Sequence, residues 1–200
     1  MPRIGWVEDA DAAGELAEIV TRFRERYGVP MPDLLRTMTP RPDFLAAIMQ
    51  AMRSLSRKDG TLTRAQREMI ACYVAALNRC EHCQVTHTQA LHSLGGAYSE
   101  VAAALRAWDL DAAPITPSER LLLEFVGVLT RHAYQITDEQ VQGLRHAGWS
   151  DAQLAETVYI GALTNMLVRV ADAFGVQPPS TLDADAAPTA AAKERDSGTE

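Results

Sequence analysis

Apolar positions recur with helical spacing along nearly the whole chain. Leu16, Ile19, Val20, Phe23 and Tyr27 follow an i, i+3, i+4, i+7, i+11 order, one stripe on an otherwise charged segment. Gly28, Pro30 and Pro32 end that segment. A second helix is predicted from near Pro42, carrying Phe44, Leu45, Ile48, Met49, Met52 and Leu55 inward, and Lys58-Asp59-Gly60 reads as a turn. Thr63 with Gln66 has the form of a capping box, in which a hydroxyl and a side-chain amide satisfy open backbone donors at a helix start. Behind it Ile70, Tyr73, Val74 and Leu77 form an apolar face up to Asn78-Arg79. The next helix is predicted to begin around Cys80 and Cys83 and to run to Leu94, where Gly95-Gly96 stops it. Further helices are predicted over about 98–108, 117–133, 138–146 and 151–174. Their start signals are Thr116-Pro117-Ser118-Glu119, Thr137 with Gln140, and Ser150 with Gln153. No run of alternating residues bounded by hairpin turns is present, so the fold class is all-α, a helical bundle.

An internal repeat accompanies the pattern at an offset of 53 residues: Thr63 matches Thr116, Arg67 matches Arg120, Leu91 matches Leu144, and Gly95 matches Gly148. Gln66 and Glu119, both suited to the third position of a capping box, fall together as well. In the same register Glu68, Cys80, Cys83 and His87 stand opposite Leu121, Ala133, Ile136 and Gln140. A second copy of this kind keeps the scaffold and lacks the chemistry.

After Gly175 the composition changes to Pro, Ala, Asp, Ser and Thr with almost no large apolar side chains. Such a segment cannot bury enough surface to offset its ordering entropy. The expected organisation is one domain over 1–176 and a disordered acidic tail over 177–200. That tail carries five acidic and two basic residues, so −3 of the net charge of −7 is local to it. The acidic balance makes nucleic acid an unfavourable partner. No apolar run reaches bilayer-spanning length, and the first residues lead straight into Glu8, Asp9 and Asp11, unlike a signal peptide. A cytoplasmic address without membrane contact is expected, where an isolated C-x-x-C is catalytic or metal-binding more often than a structural staple.

Candidate chemistry gathers in one segment. Glu68, eleven residues, Cys80-Glu81-His82-Cys83, three residues and His87 supply a carboxylate, two thiols and imidazoles. On a helix, Cys80 and Cys83 are i, i+3 and Cys83 and His87 are i, i+4, which places all three on one face. His82 points elsewhere on an ideal helix and approaches the thiols if Cys80 occupies the cap. A first-turn cysteine feels the positive end of the helix dipole, which draws a thiol pKa from about 8.5 toward about 7. A tight connection would bring Glu68 back onto the dithiol, and burial there would raise its pKa toward neutrality. Cys72 reads as a small buried hydrophobe, His92, His132 and His146 as unpartnered surface positions, Arg169 and Asp172 as a possible i, i+3 ion pair, and Met38, Met49 and Met52 as core.

The stretch Leu62-Thr63-Arg64-Ala65-Gln66-Arg67-Glu68-Met69-Ile70-Ala71, followed by Ala75-Ala76-Leu77-Asn78-Arg79-Cys80-Glu81-His82-Cys83 and His87, resembles the alkylhydroperoxidase D-like branch of the carboxymuconolactone decarboxylase superfamily, and within it the peroxidase-related enzymes. Pro32 to Phe44 and Leu163 to Gly175 extend the resemblance over most of residues 30–176. One departure is an aliphatic Val168 near where members often carry a second Asn; Asn165, Arg169, Asp172 and Gly175 remain. The resemblance implies a helical trimer or hexamer and a cofactor-free, metal-free thiol peroxidase that protects against oxidants. It implies that Cys83 attacks the hydroperoxide, that Cys80 donates a proton and resolves the sulfenate, and that Glu68, His82 and His87 form the proton relay. An external dithiol, thioredoxin-like or lipoyl-borne, would then reduce the disulfide. Two alternatives stay open. One is a lactone decarboxylase of the same superfamily, which needs no vicinal dithiol. The other is a non-catalytic zinc-binding or redox-sensing module, with Cys80, Cys83, His87 and Glu68 as four ligands.

Overall fold

A computed structural model describes residues 2–56 and 60–179. In chain order its helices are α1 (Gly14–Tyr27), α2 (Asp33–Arg36), α3 (Pro42–Leu55), α4 (Arg64–Asn78), α5 (Glu81–His92), α6 (Tyr98–Arg106), α7 (Pro117–His132), α8 (Asp138–His146) and α9 (Asp151–Phe174). No strand occurs among the described residues. Nor is any described helix long and apolar enough to cross a membrane.

The predicted start signals form as bonded caps. Thr63, Thr116, Thr137 and Ser150 each accept from the backbone three residues on, and Gln66, Glu119, Gln140 and Gln153 reach back in return. Gly28 closes α1 in the left-handed conformation. The one-turn α2 was not foreseen. The predicted turn at Lys58-Asp59-Gly60 lies outside the described residues for Lys58 and Asp59, as does the tail from 180 onward.

Helix α4 is the central element. Met69 to Ala76 are buried without interruption, because α4 packs against α5, α6, α7 and α9 on different sides. A main core joins Ile70, Cys72 and Val74 of α4 to Leu91, Leu105, Leu123, Val126, Leu144 and Ile160 of the surrounding helices. A second cluster holds α1, α2 and α3 together through Leu16, Ile19, Phe23, Leu35, Leu45 and Met49, and rests on Met166, Leu167 and Val170 of α9. Met38 and Met49 are core residues there, and Met52 is partly buried against them. A third, small cluster comprises Ala75, Cys80, Cys83, Val168, Ala171 and Val176, with Leu34 of α2 packed against it.

Candidate active site

The turn between α4 and α5 is built to place one sulfur. Arg79 adopts the left-handed conformation (φ 59°), which is unfavourable for a residue with a Cβ. The amide of Arg79 donates to Ala76 (3.0 Å) and that of Cys80 to Ala75 (3.1 Å), the paired bonds of a Schellman motif. Cys80 therefore folds back over Ala75 and becomes the N-cap residue of α5, with Cys83 in the first turn. The Arg79 guanidinium lies over the indole of Trp108 (5.3 Å), on whose ring Arg131 also sits (5.4 Å). A polar network anchors the same turn from α9. Asn78 Nδ2 donates to Val74 O (2.8 Å) and Asn165 Oδ1 (3.1 Å). Asn165 Nδ2 donates to Gly161 O and Thr130 Oγ1, and Arg169 donates to Asn165. Arg169 thus bonds Asn165 and forms no ion pair with Asp172 among the described residues.

All three cysteines are unlinked, and Cys80 and Cys83 are buried at 0% and 4% exposure. The expected lowering of the Cys83 pKa is reversed. A hydrogen bond with the Cys80 thiol raises it, burial adds to that, and the charges of Cys80 and Asp172 act in the same direction. The Cys80 thiol and burial together outweigh the helix dipole, and α9 and Val176 contribute to that burial.

Glu68 and His87 meet as a pair: His87 Nδ1 lies 2.9 Å from Glu68 Oε2, with side-chain exposures of 26% and 23%. The expected rise in the Glu68 pKa does not occur either. Burial does push it up, but the His87 hydrogen bond and charge, with Arg64 and Arg67 on the same helix, more than offset this and hold the carboxyl below its ordinary value. An ionised carboxylate only accepts, so His87 Nδ1 must donate, and the lone pair of the neutral ring is on Nε2. His82 has the same polarity. Its Nδ1 lies 2.7 Å from the Gln177 carbonyl oxygen, an acceptor only, so Nδ1 again carries the hydrogen. Burial lowers the His82 pKa, partly countered by this bond, so the ring is held neutral.

The fold therefore brings the two sulfurs together and Glu68 together with His87, and it presents His82 to the end of α9. Among the described residues no three of His, Cys, Asp and Glu converge in a way that suits a metal ion. Cys72 stays apart, fully buried against Thr88 Oγ1 at 3.9 Å. His92, His132 and His146 are exposed. Sequence reasoning missed Leu34, Val176 and Gln177, which lie outside the motif; Gln177 fell in the segment read as tail.

The described residues thus form a helical bundle with a buried C-x-x-C at a helix start and a bonded Glu68–His87 pair between α4 and α5. Residues 42–115 match the model of the carboxymuconolactone decarboxylase family, and the chain has the alkylhydroperoxidase D-like fold. The alkylhydroperoxidase AhpD core of an uncharacterized peroxidase-related protein from Ralstonia eutropha JMP134 is similar at 26% identity and TM-score 0.78, over 90% of this chain and 93% of that one. An uncharacterized peroxidase-related protein from Silicibacter sp. TM1040 is 23% identical with TM-score 0.78, over 90% and 92%. The debrominase Bmp8, solved in complex with 2,3,4-tribromopyrrole, shares the fold at 17% identity and TM-score 0.69, over 88% and 90%. No curated protein matches the chain.

Proposed function

We propose that the protein is an oxidoreductase that reduces hydroperoxides through the Cys80/Cys83 dithiol. The observation that carries this reading is the Glu68–His87 pair, bonded at 2.9 Å between α4 and α5, the helix at whose start both sulfurs stand. A thiol that is hydrogen-bonded, buried and raised in pKa is a poor nucleophile until a base takes its proton. His82, held neutral, keeps Nε2 for that purpose, and His87, whose Nδ1 is taken up by Glu68, has Nε2 as its other ring nitrogen.

In the proposed cycle the Cys83 thiol loses its proton to the imidazole relay, and the thiolate attacks the terminal peroxide oxygen. The O–O bond breaks, the proton passes to the leaving alkoxide, and the products are an alcohol and Cys83 sulfenic acid. The Cys80 thiol then displaces the sulfenic hydroxyl as water and the disulfide forms. An external dithiol of the thioredoxin-like or lipoyl class returns two electrons and two protons by exchange. The similarity to the peroxidase-related protein from Ralstonia eutropha supports this reading. Against a zinc module stands the absence of a converging ligand set among the described residues, since Glu68 is engaged by His87. The test is anaerobic: the fully reduced protein, given one equivalent of an organic hydroperoxide, is expected to consume it and to lose both free thiols of the pair. Failure to consume peroxide would overturn the reading.

The working form is proposed to be a cytoplasmic homotrimer or homohexamer. Tyr134, Tyr159 and Phe44 are large apolar side chains with 82%, 60% and 44% exposure, surface that subunit contacts would cover. Light scattering at micromolar concentration is expected to give a multiple of three, and a monomer would remove this part of the proposal.

A further inference from the structure

Two helix ends of this molecule close in the same way and deliver a residue to the same place. At the end of α4, left-handed Arg79 turns the chain and the amide of Cys80 donates to Ala75 (3.1 Å). At the end of α9, left-handed Gly175 (φ 67°) turns the chain and the amide of Val176 donates to Ala171 (2.9 Å). Both are Schellman closures, which bring the residue after the turn back against the helix. Ala75, Cys80, Ala171 and Val176 all belong to the small cluster that also contains Cys83.

The segment that follows Val176 then runs past the first turn of α5. Gln177 presents its carbonyl oxygen to His82 Nδ1 at 2.7 Å, while its side-chain Nε2 donates to Gly175 O (3.1 Å) and curls the segment on itself. The N-terminal residues brace it from behind. The Arg3 amide donates to Phe174 O (2.7 Å), and Arg3 Nη1 donates to Asp172 O (2.6 Å) and Ala173 O (3.2 Å). These bonds satisfy carbonyls that the last turn of α9 leaves open. The Arg3 side chain also packs so closely on Gly175 that a Cβ there would meet Arg3 Nε at 3.3 Å.

We infer that this strap, Gly175 to Pro179, is a working part of the dithiol site, with Gln177 as a positioning residue whose carbonyl fixes His82 in the Nδ1–H tautomer while Val176 closes over the two sulfurs. The inference rests on the dithiol reading for the use made of the proton. The chemistry follows from the acceptor: a carbonyl oxygen takes only a hydrogen, so the neutral ring is left with its lone pair on Nε2, the one atom through which His82 then accepts a proton. Free imidazole side chains prefer the opposite tautomer, so the strap imposes a choice the ring would not make by itself. Val176 and Leu34 also explain how two thiols at a helix start remain buried. The strap lies outside the Glu68–His87 motif in sequence and 95 residues from His82, so spacing alone gives no sign of it.

The test is spectroscopic and does not need turnover. In the full chain at neutral pH, imidazole nitrogen-15 shifts are expected to show His82 neutral, with hydrogen on Nδ1. Replacing Gln177, Pro178 and Pro179 together by Gly, again in the full chain, frees the carbonyl. It is expected to shift His82 toward the Nε2–H tautomer and to speed iodoacetamide labelling of the Cys80/Cys83 pair by about tenfold, as for a local opening made easier. Because the helices and their caps are untouched, the circular dichroism of that variant is expected to be unchanged. An Nε2–H or protonated His82 in the unaltered protein overturns the inference even if the glycine variant fails to fold. So does an unaltered tautomer in a folded glycine variant. The expected tautomer in a protein that consumes no peroxide would uphold the strap and sink only the peroxidase reading.

Discussion

The imidazole of His87 meets the carboxylate of Glu68 at 2.9 Å across the α4–α5 contact, and this bond decides which way Glu68 titrates. Its pKa is held below the ordinary value, so the folded state gains stability from the ionised form. That gain is fully present above the unfolded carboxyl pKa of about 4.3 and is lost as pH falls through the lower folded value. Glu68→Gln is expected to be less stable than the unaltered protein at neutral pH, with the difference closing on acidification below about pH 4. His82, held neutral by burial, acts in an earlier window: stability begins to fall once pH drops below about 6.5, where the unfolded chain takes up the proton first. Urea unfolding midpoints measured across pH check both. A Glu68→Gln difference that does not change with pH would mean that the carboxylate is not the source of the effect.

Cys72 is expected to remain a free thiol when Cys80 and Cys83 are linked by mild oxidant. It is fully buried, and burial pushes its thiol up to about 11. Its side-chain hydrogen-bond contact is with Thr88, whereas Cys80 and Cys83 lie together in one small buried cluster. Non-reducing peptide mapping checks this. A bridge from Cys72 to either partner would contradict the packing of α4 against α5.

The helices were legible because their starts are written in local chemistry. Each predicted capping pair needs only residues three apart, and all four form. The residues of one matched pair also meet. Gln66 Nε2 donates to Glu119 Oε1 at 3.3 Å, so two residues matched at an offset of 53 touch where α4 packs on α7. What failed to show were effects set by distant chain. The Cys83 pKa is raised first by the Cys80 thiol and then by burial, to which α9 and Val176 contribute, and the Glu68 pKa is lowered by an imidazole on the next helix. The one-turn α2 escaped because four residues between prolines and a threonine carry no periodicity. The end of the domain was drawn one residue too early for the contacts present, since Gln177 looks like tail by composition and is bonded to His82.

A chain ending at Pro179 is therefore expected to keep the melting temperature and the thiol chemistry of the full protein. Residues 180–200 offer almost no large apolar side chain with which to build a packed face. Differential scanning calorimetry compares the two directly. A fall of several degrees would show that these residues contribute to the fold.

The two sulfurs are expected to fail differently when replaced, because only one of them is assigned to attack. With Cys83→Ser no sulfenic acid forms, and the first turnover is lost. With Cys80→Ser, Cys83 still reacts once, more slowly for want of the neighbouring thiol, and its sulfenate persists or over-oxidises because no resolving thiol stands three residues away. Glu68→Gln keeps the shape of the pair but removes the charge that orients His87, so attack is expected to slow by on the order of a hundredfold or more while the dithiol remains oxidisable. Sulfenate trapping after one equivalent of hydroperoxide, followed in all three variants, separates these outcomes. Trapping in Cys83→Ser but not in Cys80→Ser would exchange the roles of the sulfurs. Unchanged rates in Glu68→Gln would remove the Glu68–His87 pair from the mechanism and leave His82, held by Gln177, as the base to be tested next.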